Sequence, residues 1–177
     1  GILRLNRILT NMSEATRLEQ SLQSGEKITL AVDELLKGCI QGYQMTYKQH
    51  TFVLSGCDEK LTIDADPDFL VQCLDKLINN AMEFNLEHKP IKISLCKDNN
   101  NAVIEVENRG PLLPKNMEDE LLNSMVSIRE FNNPDKTHLG LGLFIAKMIC
   151  DYHHASIAIN NNRNNNGVIV KLDFPLI

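Results

Sequence analysis

From Asp66 to Asn85, ahead of Pro90, runs the stretch that most restricts the folds open to this chain: DPDFLVQCLDKLINNAMEFN. Leu70, Leu74, Leu77, Ala81 and Phe84 recur in steps of four, three, four and three, the spacing of one apolar helical face, which belongs in a core. Asp66 is placed to cap the first turn, Pro67 suits the first helical position, and Pro90 stops continuation beyond the loop that follows. Gln72, Lys76, Asn80 and Glu83 stack on another face, so their head groups can converge on one bound object. Taken alone, such a face reads as a solvated helix surface patterned by Lys76 and Glu83.

The remaining chain reads as short strands and helices around this element. In residues 2 to 22, Leu5, Ile8, Met12, Ala15, Leu18 and Leu22 repeat at threes and fours between charges. So narrow a seam suits a coiled coil or bundle better than a globular core, and the helix calls for a partner from upstream sequence or another subunit. Ser24 and Gly25 break it, placing a domain boundary between 1–24 and 25–177. Asp33 is expected to cap a helix over residues 34 to 47. Residues 51 to 55 and 60 to 64 read as strands, and 91 to 96 with 102 to 107 as a hairpin across a polar turn. Residues 115 to 138 are the least regular long segment, 139 to 153 are helical, and 155 to 160 with 168 to 174 form a last hairpin across an Asn-rich turn. Strand pairs interleaved with helices, without regular strand-helix-strand alternation, predict a two-layer α+β shape: a mixed or antiparallel sheet with helices on one face.

Composition narrows the partners. The 177 residues suit one domain plus an appendage, and the net charge of −5 argues against a nucleic-acid surface. No apolar run approaches a membrane span, so direct membrane contact is not expected of this piece. Five scattered cysteines without a CxxC pair read as reduced core thiols of a reducing, cytoplasmic compartment.

Three stretches, in order, carry a family resemblance: Asn79-Asn80-Ala81 in the central helix, Asn108-Arg109-Gly110-Pro111-Leu112-Leu113-Pro114 after a strand, and His138-Leu139-Gly140-Leu141-Gly142-Leu143 opening a helix. They resemble the N-box and the two glycine boxes of the ATP-binding domain of sensor histidine kinases, whose Bergerat fold is shared with gyrase and the Hsp90 chaperones. The resemblance covers roughly residues 5 to 177. With Ser124-Met125-Val126-Ser127-Ile128-Arg129 it is also reminiscent of a proteobacterial subgroup found with dedicated sortase systems.

The resemblance implies ATP and Mg2+ as ligands and Asn80 as the metal ligand, a neutral oxygen suited to a hard cation beside a triphosphate. Lys76 stands where the family commonly has a second Asn, and can reach a phosphate as a point charge. Glu83 stands where a Lys or Arg often faces phosphate. Asn108 replaces the Asp that accepts the adenine amino group, Gly110 lets the backbone approach the base, Leu112 replaces the motif's second glycine, and Leu113 joins the binding set. Leu139, Gly140, Leu141 and Gly142 form the glycine-rich helix entry whose amides attract anions. Arg129 lies in what the family uses as a lid over ATP and would approach a phosphate on closure.

By that resemblance the chain is a histidine kinase catalytic domain preceded by the second helix of the dimerisation and phosphotransfer hairpin. The parent would be an inner-membrane homodimer joined through that helix, passing phosphate to an Asp on a response-regulator receiver domain. No His here stands in the family's phosphoacceptor motif, so this piece is expected to bind Mg-ATP without autophosphorylating. The alternatives are another ATPase of the same fold, disfavoured because Lys76 stands where those enzymes have a general-base Glu, and a pseudokinase serving as an interaction module.

Overall fold

The computed structural model describes residues 1–114 and 139–177. Its central element is α3 (Pro67–Phe84), which begins and ends near the expected positions. The Asp66 carboxylate accepts hydrogen bonds from the Asp68 and Phe69 amides at 3.0 and 3.3 Å, satisfying two of the donors that a helix start leaves orphaned. Every member of the predicted apolar face is buried, and Cys73 and Ile78 widen the stripe, because α3 is covered from two sides. Each buried Leu or Phe contributes on the order of 2 kcal/mol.

One of those sides is a five-stranded sheet of β2 (Phe52–Ser55), β4 (Ile91–Asp98), β5 (Asn101–Arg109), β6 (Ser156–Asn161) and β7 (Gly167–Pro175), in the order β2-β4-β5-β7-β6. β2 runs parallel to β4 and the other neighbours are antiparallel, so the sheet is mixed. Register aligns Ile93, Val106, Val170 and Ile159 in one row, all buried under the helices. On the opposite face Lys92, Glu107, Lys171 and Asp173 alternate with them, giving one covered and one polar face. The other cover of α3 is α4 (Leu139–Tyr152), whose Leu143, Ile145, Ala146 and Ile149 are wholly buried.

A separate antiparallel ribbon pairs β1 (Ile28–Ala31) with β3 (Thr62–Ala65). The predicted strands at 51 to 55 and 60 to 64 thus do not pair with each other: one joins the main sheet, the other the ribbon. α2 (Val32–Thr46) starts earlier than expected, with Ala31 at the N-cap position and no side-chain cap; the Val32 amide donates to Leu61 O at 2.8 Å. Asp33 is not its cap. Its buried carboxylate instead accepts the Leu61 amide at 3.2 Å, tying the start of α2 to the segment before β3.

The first helix, α1 (Ile2–Leu22), divides along its length. Leu3, Leu5, Leu9 and Met12 are exposed, whereas Ala15 and Leu18 are buried and Leu22 packs on the same core. Half of the expected partner is therefore this chain itself. The corner after α1 is packed too: a Cβ on Gly25 would fall 2.5 Å from the Phe69 ring and 2.7 Å from the Tyr152 hydroxyl, so any larger residue would have to displace those two side chains. The Glu26 amide donates to the second oxygen of Asp66 at 2.9 Å.

Candidate functional site

The polar face of α3 opens into a cleft of about 430 Å3, walled by α1 and by the first turn of α4. Lys76, Asn79, Asn80 and Glu83 line it from α3, Leu141 and Gly142 from α4, and Glu14 from α1. Five predicted site residues, Lys76, Asn80, Glu83, Leu141 and Gly142, are thus brought to one concavity. Helical spacing makes this possible, since residues three and four apart share a face. At Gly142, α4 passes α3 closely enough that an added Cβ would touch the Lys76 backbone at 3.7 Å.

Inside the cleft the Asn80 Oδ1 is buried and has no hydrogen-bond partner among the described residues. A buried carbonyl oxygen left unpaired costs about 1–3 kcal/mol, a cost that a ligand can remove. Lys76 is not free: its Nζ donates to Glu14 Oε1 at 2.6 Å across the two helices. With Glu83 also present, the lining carries two carboxylates and one ammonium. One excess negative charge suits an anion only if a cation accompanies it.

Asn108, Gly110 and Leu113 form a second group at the end of β5 and just beyond it. Asn108 follows Ala102, Ile104 and Val106 on the helix-facing side of the sheet and is itself buried. Its Nδ2 is the other buried side-chain polar atom without a partner among the described residues. Gly110 is held against α3: a Cβ there would lie 2.0 Å from the Phe84 carbonyl oxygen, and its amide donates to Asn166 O at 3.0 Å. Leu113 is buried in the core. Leu139 and Gly140 open α4 ahead of the lining residues. Arg129, and His138 of the second glycine motif, lie outside the described residues.

Two contributors escape sequence reading. Glu14 belongs to a helix assigned to another domain, so only packing brings it to the cleft. Asn79, which the Asn79-Asn80-Ala81 stretch contains, lines the cleft beside Asn80. Asn161 looks like part of a low-complexity turn, yet its Oδ1 accepts the Leu113 amide at 2.8 Å and its Nδ2 donates back to the Leu113 carbonyl at 3.4 Å. A side-chain amide thereby imitates a strand partner for the segment after β5. Asn162 braces the same turn, donating to Asn166 Oδ1 at 2.7 Å and accepting the Asn166 amide at 2.9 Å. The Asn-rich run is a hydrogen-bonded structure; the left-handed φ of Asn165, 53°, is one that Asn tolerates well.

Of the five cysteines, Cys57, Cys73 and Cys150 are buried, Cys39 is half-buried, Cys96 is exposed, and all are unpaired. Burial raises the thiol pKa of Cys57, and Cys150 beside it, together with burial, raises that of Cys73, so these thiols stay protonated and inert. Among the described residues no cluster of three or more His, Cys, Asp or Glu can hold a metal alone, and no helix is long and apolar enough to cross a membrane.

Comparison with known proteins agrees with this arrangement. Sensor histidine kinase CssS of Bacillus subtilis is 26% identical over 174 residues, 98% of this chain and 36% of that protein. The catalytic domain of histidine kinase ThkA superposes with a TM-score of 0.71 at 25% identity, covering 85% of this chain and 97% of that one. ThkA in complex with response regulator protein TrrA gives 0.74 at 22% identity over 98% of this chain, a likeness of fold that includes α1. The chain spans 36%, 31% and 26% of three curated relatives. Residues 65–177, which carry both unpaired asparagines and the α4 entry, match the model of one family, so this chain belongs to the histidine kinase-, DNA gyrase B-, and HSP90-like ATPases.

Proposed function

We propose that the chain is the ATP-binding catalytic module of a sensor histidine kinase, supplying the γ-phosphoryl group to a His carried on another segment of the parent protein. One observation carries the reading. The two buried side-chain polar atoms left without partners among the described residues, Asn80 Oδ1 and Asn108 Nδ2, belong to the two asparagines at the metal and base positions of the motif. A ligand with a cation at one end and a purine at the other would engage both.

Mg2+ fits the donor set, because a magnesium ion shared with a triphosphate needs only one or two protein oxygens. Asn80 Oδ1 offers one, and the carboxylate excess in the cleft favours a cation beside the phosphates. When bound, the ion would neutralise phosphate charge. Lys76, drawn from Glu14, would place an ammonium on a phosphate oxygen, and the first-turn amides of α4 would add donors at the positive end of the helix. Phosphoryl transfer needs mainly such positioning and charge stabilisation. His153 is unavailable as acceptor, since both its ring nitrogens are engaged in the interior. We assign residues 1–24 to the dimerisation hairpin and 25–177 to the catalytic domain. The exposed half of α1 would form a homodimer seam in a membrane-anchored parent, with a receiver domain as the downstream partner.

The test is calorimetric titration of Mg-ATP into the chain, beside Asn80→Ala and beside wild type in excess chelator. Loss of a group that merely supports a metal ligand costs about 10–100-fold, so Asn80→Ala should weaken binding at least about tenfold. The chelator should have a similar effect. No heat at millimolar nucleotide from folded protein would instead favour a nucleotide-free interaction module.

A further inference from the structure

Of the two carboxylates that line the cleft, only one has a cation beside it. Glu14 is matched by the Lys76 ammonium at 2.6 Å. Glu83 is half-buried in the same wall and makes no hydrogen bond or ion pair among the described residues. With Lys76 held by Glu14, its charge is left uncompensated. Partial burial disfavours a lone carboxylate, and a triphosphate entering the cleft would repel it. A divalent cation between the two removes both penalties.

The neighbour on the same wall points to that cation. Asn80 Oδ1 is buried, lines the cleft and accepts from nothing among the described residues. Residues three apart on a helix share a face, with Cβ atoms about 5–6 Å apart, so an amide oxygen and a carboxylate oxygen can meet on one ion. Both are hard oxygen donors, one neutral and one anionic. Magnesium shared with phosphates takes one or two such protein groups and completes its shell with phosphate oxygens and water. Among the described residues no cluster of three or more acidic, His or Cys side chains could hold the ion alone, so the phosphates are part of the site.

We propose that Glu83 joins Asn80 as a ligand of the metal, so that an Asn-x-x-Glu pair one helical turn long receives nucleotide as its magnesium complex. The proposal rests on the nucleotide-binding reading above and deepens it by assigning the metal a second protein ligand, at a position where the resemblance implies a basic residue facing phosphate.

The experiment is calorimetric titration of ATP into the 177-residue chain, in excess Mg2+ and in excess EDTA, for wild type, Glu83→Gln and Glu83→Lys. The ratio of the two affinities is the readout. In Glu83→Gln, Mg-ATP should weaken by about tenfold or more while metal-free ATP binds at least as well as to wild type. Glu83→Lys should lower the ratio further, because an ammonium attracts the phosphates and repels the ion. Electron paramagnetic resonance of Mn2+ with ATP present should show the ion bound about tenfold or more weakly by both variants. Should one variant fail to fold, as far-UV circular dichroism would show, the other decides. If Glu83 only repels phosphate, Glu83→Gln would tighten both forms of ATP and hold the ratio constant, which would overturn the inference. Mg-ATP binding that is lost in Asn80→Ala but unchanged in Glu83→Gln would overturn it too, and leave the ATP reading standing. Folded wild type that binds neither form would overturn both.

Discussion

His153 links the two ends of the helical layer through one ring. Its Nδ1 bonds Ile149 O at 2.7 Å within α4, and its Nε2 accepts the Asp66 amide at 3.1 Å at the start of α3, so the proton sits on Nδ1. Burial lowers its pKa from the ordinary 6.5, aided by Lys27, while the Ile149 carbonyl, Asp66 and Asp64 pull the other way without prevailing. Protonated, it would present a donor to the Asp66 N–H. The folded pKa is depressed, so the unfolded chain takes up the proton first. Stability is unaffected above about pH 6.5 and falls as pH drops from there through the lowered folded value, at no more than about 1.4 kcal/mol per pH unit for one proton. Urea midpoints measured from pH 7.5 to 5 should show this slope, and His153→Gln should flatten it; an equal slope in the variant would place the titration elsewhere. Sequence pattern marked His153 only as a helix end, because the burial that perturbs it comes from contacts 87 residues apart.

At the scale of elements, α1 and α3 meet in the Glu14–Lys76 ion pair, whose side chains are 39% and 26% exposed. A pair so open to water contributes only about 0.2–1 kcal/mol. Its significance is competition, since Lys76 cannot serve Glu14 and a phosphate equally. Glu14→Gln should release Lys76 and tighten Mg-ATP binding by up to about fivefold, measured by calorimetry. Unchanged or weaker binding would remove Lys76 from the phosphate site. The ion pair could not be read from the chain, because Glu14 lies 62 residues away on a helix whose seam pointed to an external partner. Helix periods, by contrast, were legible: α3 and α1 begin and end near where spacing and proline placed them, since capping and amphipathicity are local.

For the molecule as a whole, the packed corner at Gly25 makes the proposed boundary testable. A chain beginning at Ser24 should keep its sheet and α3 but lose the burial of Ala15, Leu18 and Leu22, a cost on the order of 3 kcal/mol by comparison with large-to-small core substitutions. Thermal unfolding should remain cooperative with a lower Tm; loss of cooperative unfolding would mean that α1 is integral to the domain. The local pattern by itself determined the two-layer α+β class, the central helix and the polar face that carries Lys76, Asn80 and Glu83, because periodicity, caps and turn chemistry act over a few residues. Tertiary structure alone decided which strands pair, that α1 folds half onto its own chain, that Asp33 anchors a loop instead of capping a helix, and that Glu14 and Asn161 serve the site. Those outcomes depend on contacts between distant segments, where burial and sterics choose among pairings that local spacing leaves equal.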